Sequence, residues 1–176
     1  MIKSGMVSIV GRPNVGKSTL LNRILNKKIA ITSDKAGTTR NIILGVYNDE
    51  DSQIVFVDTP GIHKPINKLG NILNKKAYIM TSDVDVILFM VDISTGFGKG
   101  DKFVLEKLKE ENRPVILLLN KVDKMDKEEL IVKLQELCEL YPFKEIIPIS
   151  AMKDINIKDL IKTLKKYMPN EGKYND

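Results

Sequence analysis

A single cysteine, Cys138, stands in a chain of 176 residues. One thiol excludes an internal disulfide and suits a reducing compartment. It falls with Leu130, Leu134, Leu137 and Tyr141 at helical spacing, which predicts core packing rather than a reactive thiol. Histidine is equally scarce, with His63 alone, so metal sites and acid–base pairs that need several histidines are excluded. No apolar run approaches the roughly 20 residues needed to cross a bilayer. The run Met6 to Val10 is too short for a secretory signal, so a cytoplasmic protein is expected. Internal repeats and low-complexity segments are also missing. The net charge of +5 is compatible with an RNA partner but is equally ordinary for a lysine-rich protein. A hydrophobic content of 43% is enough for one compact core.

The most informative stretch is Gly11-Arg12-Pro13-Asn14-Val15-Gly16-Lys17-Ser18, followed by Thr19, which fits the phosphate-loop pattern G-x-x-x-x-G-K-[ST]. A β-branched run precedes it, and Leu20, Leu21, Ile24 and Leu25 follow at helical spacing, so the loop joins a strand to a helix. In that setting backbone N–H groups and the positive end of the helix dipole converge on phosphate oxygens. Lys17 would reach the β- and γ-phosphates, and the Ser18 hydroxyl would hold Mg²⁺.

Residues 27–40 read as a loop. Strands over about Asn41 to Tyr47 and Ser52 to Val57 form an antiparallel hairpin that delivers Asp58 at its end. Thr59-Pro60-Gly61-Ile62-His63-Lys64-Pro65 is irregular, and a helix is expected from about Leu69 to Thr81. Val84 to Val91 and Val115 to Leu119 read as strands buried on both faces of a sheet. Between them Asp101 can cap a helix burying Val104, Leu105 and Leu108. A helix over Lys127 to Tyr141, a strand from Glu145 to Ile149 and a last helix capped by Asn156 complete the pattern, the last helix burying Ile157, Leu160, Ile161, Leu164 and Met168. The alternation predicts an α/β fold: a three-layer α/β/α domain over residues 1–168, with a six-stranded, mostly parallel sheet and one antiparallel hairpin strand. Residues 169–176 are expected to fray.

Asp58 ends an apolar strand where a carboxylate completes a Mg²⁺ shell, with the Gly61 N–H placed for the γ-phosphate. Asn120-Lys121-Val122-Asp123 follows a Leu-rich strand, where ligands bind in open α/β sheets. A carboxylate there accepts from guanine N1–H and N2–H₂, whereas adenine offers it neither donor. Asn120 can bridge the base to the phosphate loop, the Lys121 stem can cover the ring, and Ser150-Ala151-Met152 can offer an N–H to guanine O6. An ATPase or kinase reading is opposed by this base-reading turn.

The order and spacing of these segments resemble the translation-factor class of GTPases, and Gly37-Thr38-Thr39-Arg40 together with Gly61-Ile62-His63-Lys64-Pro65 resemble the Era family within it. The resemblance implies a P-loop G domain that binds GTP and GDP, hydrolyses GTP slowly with Mg²⁺, and uses Lys17, Thr39 and Gly61 in catalysis. It implies Mg²⁺ ligation by Ser18, Thr39 (or Thr38) and Asp58. It also implies an activating K⁺ held by Asn14, because Ile62 occupies the place where Ras-type enzymes carry a water-orienting glutamine. For the full-length protein it implies a monomer that binds 16S rRNA through a C-terminal KH domain, acts in assembly of the 30S ribosomal subunit, and can associate peripherally with the inner membrane. The sequence stops where that family's interdomain linker would start, so sequence-specific RNA binding is not expected of these residues. His63 as a general base, and Arg12 or Arg40 as a finger in cis, are weighed against plain solvation. A GTP-dependent interaction module, with negligible hydrolysis until a ribosomal partner arrives, is the alternative.

Overall fold

The computed structural model describes residues 3–25, 42–58 and 84–169. Within them the order is β1 (Lys3–Val10), α1 (Lys17–Ile24), β2 (Ile42–Asn48), β3 (Ser52–Asp58), β4 (Val86–Asp92), α2 (Lys99–Leu108), β5 (Val115–Asn120), a 3₁₀ turn (Val122–Lys124), α3 (Lys127–Cys138), β6 (Glu145–Pro148) and α4 (Ile157–Lys165). The sheet runs β2-β3-β1-β4-β5-β6. Only the β2–β3 pair is antiparallel, so the expected mixed sheet with one hairpin strand is present.

Strand periodicity sorts the core into two layers. Along β4, Val86, Leu88 and Met90 face the cluster that contains Leu20 and Ile24 of α1 and Leu160 and Leu164 of α4. The alternate residues Ile87, Phe89 and Val91 face the cluster that contains Val104, Leu105 and Leu108 of α2 and Leu137 of α3. Every residue of β4 and of β5 is buried, which is why both read as unbroken apolar runs rather than alternating ones. Truncating such a side chain costs about 2–5 kcal/mol, so these two strands anchor the loops at their carboxyl ends. The helices after β1 and β4 lie on opposite faces, so a crevice opens between adjacent strands at the switch in strand order.

Three local expectations are corrected. Asp101 is not the residue that precedes α2: Gly98 is, and Asp101 is the third helical residue, reaching back to accept the Gly98 N–H at 2.9 Å. Asn156 does precede α4 but caps it without its side chain; the residue is left-handed (φ 62°) and its amide donates to the Pro148 carbonyl. Cys138 is exposed. It is the last residue of α3, whose only buried residue is Leu137, so the apolar stripe is narrower than the spacing suggests. The expected loop over 27–40 and helix over 69–81 lie outside the described residues.

Candidate nucleotide-binding site

The loop between β1 and α1 has a path that only certain residues allow. Gly11 lies against the sheet, where a Cβ would sit 2.8 Å from the Met90 carbonyl oxygen. Gly16 is left-handed (φ 106°), and a Cβ there would collide with the Asn120 side-chain amide. Asn14 is also left-handed (φ 68°), a conformation that asparagine tolerates better than most residues, and it is exposed at the loop's turn. No acidic residue occupies the first turn of α1, so nothing on that turn competes with a phosphate for the helix's positive end. Ser18 lies exposed on that turn, and Lys17 and Thr19 are half-buried there.

Parallel pairing of β1 with β3 sets Ile9 opposite Asp58, which brings that carboxylate to the mouth of the phosphate loop. A serine hydroxyl and one carboxylate are hard oxygen donors, the set that Mg²⁺ accepts alongside phosphate oxygens and water. Among the described residues no group of three or more His, Cys, Asp or Glu is gathered, so a softer all-protein metal cage is not built there.

Asn120 is the centre of the site. It ends β5, is almost fully buried, and spends both ends of its amide: Nδ2 donates to the Val15 carbonyl at 2.8 Å, and Oδ1 accepts the Ala151 N–H at 3.0 Å. One side chain therefore ties the phosphate loop to the turn after β6. Of the three residues expected to offer an N–H to a base oxygen, Ala151 has its N–H engaged by Asn120. Ser150 is buried and its hydroxyl accepts the Lys153 N–H, which tightens the same turn. Beside Asn120 a pocket of about 100 Å³ is lined by Gly16, Thr19, Asn120, Lys121, Asp123, Lys124 and Met152. Phosphate-loop, base-turn and Ser-Ala-Met residues thus share one cavity.

Lys121 is left-handed (φ 69°), and its ammonium pairs with Asp92 at 2.8 Å. Burial alone would raise the Asp92 carboxyl, but hydrogen bonds from Lys121 and from the Ser94 side chain and backbone outweigh it and hold the group below the usual carboxylate value. Arg12 does not project as a finger. Its Nε donates to the buried Asp101 carboxylate at 3.2 Å and its terminal nitrogen to Thr95 Oγ1. Arg23, in the last turn of α1, donates to the Ala151 and Met152 carbonyls at 2.9 and 2.6 Å.

These last contacts are what sequence reasoning misses. Asp92 had a usable signal, because it ends an apolar strand in the same way that Asp58 does. Arg23 had none beyond being a cation near a helix end. Thr38, Thr39, Arg40, Thr59, Pro60, Gly61, Ile62 and His63 lie outside the described residues; Gly11 to Thr19, Asp58, Asn120 to Asp123 and Ser150 to Met152 converge at one end of the sheet.

Residues 6–121 match the model of a family described as 50S ribosome-binding GTPase. The chain belongs to that GTPase family. It is 51% identical over 174 residues to the GTPase Era of Clostridium kluyveri, covering 99% of this chain and 59% of that protein. A crystal structure of Era with MgGDPNP and nucleotides 1506–1542 of 16S ribosomal RNA superposes with a TM-score of 0.78 at 42% identity, over 97% of this chain and 58% of that one. A point variant of Aquifex aeolicus Era bound to GDP·AlF4⁻ gives 0.76 at 43% identity, over 96% and 58%. The chain therefore spans about three fifths of these relatives. The fold of the family, a P-loop GTPase domain, is the one described above.

Proposed function

We propose that this chain binds GTP with Mg²⁺ and hydrolyses it slowly to GDP and phosphate, as the switch domain of an Era-like protein. The observation that carries this reading is the double hydrogen bond of Asn120, which draws the phosphate loop and the base turn onto one pocket. In the reaction, water attacks the γ-phosphorus and the bond to the β–γ bridging oxygen breaks, so the protein's main tasks are positioning and charge neutralisation. The loop N–H groups cradle the phosphates, Lys17 neutralises β- and γ-oxygens, and Asp123 accepts from the guanine edge. Ser18, Asp58 and Thr39 would hold Mg²⁺, which neutralises charge developing on the phosphates. Gly61 offers its N–H to the γ-phosphate. Asn14, exposed at the loop's turn, offers a carboxamide oxygen to K⁺, which would add positive charge where Arg12 does not.

Relatives solved with a GTP analogue, with GDP·AlF4⁻ and with a 16S rRNA fragment support nucleotide binding and an RNA-linked role at the small ribosomal subunit. A partner-dependent switch is the second reading, favoured by Ile62, whose aliphatic side chain cannot orient water. Turnover of GTP by the purified chain, in KCl and in NaCl at equal ionic strength and with ATP as control, separates these. Slow GTP turnover accelerated by K⁺ is expected. Equal rates in the two salts would remove Asn14 from its role, and tight GTP binding without turnover would establish the partner-dependent reading.

A further inference from the structure

The ten residues Asp92 to Asp101 form no part of the pocket, yet they touch both the phosphate loop and the base turn that line it. Their two carboxylates are buried, Asp92 at 3% and Asp101 at 0% relative exposure. Each is first tied into its own loop: Asp92 accepts from the Ser94 N–H and hydroxyl, and Asp101 from the Gly98 N–H. Each also accepts from a cation of a different binding segment across the crevice, Asp92 on its other oxygen and Asp101 on the same Oδ2 that accepts from Gly98. Asp101 takes Arg12 of the phosphate loop, and Asp92 takes Lys121 of the base turn.

Four further contacts tie the stretch together. The Ile93 N–H donates to the Asn120 carbonyl at 3.0 Å, gripping the residue that centres the site. Arg12 donates to Thr95 Oγ1, which itself donates to the Asp92 carbonyl at 3.3 Å. The Arg12 stem lies against Gly100, where a Cβ would sit 3.2 Å from the arginine's own Cβ. A buried carboxylate is costly unless it is paired, so the loop's shape and the positions of both cations enforce one another.

We propose that the β4–α2 connection is a positioning brace in which Asp101 sets the phosphate loop through Arg12 and Asp92 sets the base-covering Lys121. The proposal deepens the GTP-binding reading and rests on it. Neither carboxylate touches nucleotide; each acts through its cation. The two ends make separable predictions, because Arg12 belongs to the phosphate half and Lys121 to the base half.

The test is displacement of a fluorescent GDP analogue by GDP, guanosine and pyrophosphate from the wild-type chain and from Asp92→Asn and Asp101→Asn. Asp92→Asn is expected to weaken guanosine by about tenfold and leave pyrophosphate within about twofold. Asp101→Asn is expected to show the reverse pattern, and Arg12→Gln should reproduce it from the other side of the pair should Asp101→Asn fold poorly. A general loosening of the fold would not separate the two ligands. Equal losses of both ligands in both variants, or no loss in either, with wild-type preference for GTP over ATP intact, would overturn the brace alone. A wild-type chain that binds ATP as tightly as GTP would overturn the base reading, and the brace with it.

Discussion

Two aspartate–lysine pairs sit at opposite ends of the sheet and use the same chemistry differently. Asp92 and Lys121 meet at the site, with side-chain exposures of 4% and 33%. Asp49 and Lys165 meet at the far pole, both about a quarter exposed, where the β2–β3 turn touches the end of α4; Asp51, Tyr47 and Ser52 join the cluster. Burial opposes ionisation of Asp49, but hydrogen bonds from Lys165, Ser52, Tyr47 and the Asp51 N–H hold it far below the usual carboxylate range. The same two aspartates raise Lys165. The far-pole cluster is wet and screened by salt, so it trims the fold. At the site Lys121 is as open to water as Lys165, but Asp92 is nearly closed to it, so Asp92 without its lysine is a buried charge. Similar ion pairs therefore differ in worth by their surroundings.

The largest effect is expected at Asn120, beside the site pair. Asn120→Ala leaves the Val15 carbonyl and the Ala151 N–H without their buried partner. It should cost about 2–4 kcal/mol of stability in denaturant melts and weaken GDP by at least about a hundredfold in calorimetry. Next, Lys121→Met strips the cation from Asp92, and a loss of about 2–3 kcal/mol is expected at neutral pH. The sign follows from Asp92, whose folded value is depressed: the stability from its charged form is present above the ordinary carboxylate value and is lost as pH falls through the folded one. The deficit of Lys121→Met should therefore shrink in acid.

Glu111 sharpens the point, being a half-buried carboxylate with one oxygen unpartnered. Burial and then Glu110 raise its value from 4.5 to about 7, with Arg113 opposing. A raised carboxylate stabilises the fold only while protonated, fully below 4.5 and no longer above about 7. Glu111→Gln should accordingly gain about 1 kcal/mol at pH 8, discounted for partial solvent access, and nothing at pH 4. The smallest effect belongs to the far pole. Lys165→Met should cost only about 0.5 kcal/mol, and the difference from wild type should fade in 1 M salt. A cost at the far pole equal to that of Lys121→Met would erase the contrast.

Much of this was legible in the sequence because it is local. The phosphate loop is set by glycine spacing, and the middle strands by runs such as Val86 to Val91 that no surface strand could carry. Asn120 could be assigned to the phosphate loop from its place in Asn-Lys-x-Asp. What the sequence hides is pairing across distance. Arg12 and Asp101 are 89 positions apart, and neither looks different from a solvated charge until β1 and β4 lie side by side. The same blindness explains Cys138: helical spacing shows a stripe but not how far the neighbouring layer extends over it. Asp101 fits the same lesson, since a helix-start aspartate is read as a cap before its arginine partner is visible.

On the proposed reading, Asn120 joins a phosphate cradle to a guanine reader. Competition of GTP and ATP against a fluorescent GDP analogue on the purified chain with Mg²⁺ tests it most directly. A preference for GTP of about 10⁴ or more is expected, because adenine leaves the Asp123 carboxylate without its donors. Comparable displacement by ATP would contradict it.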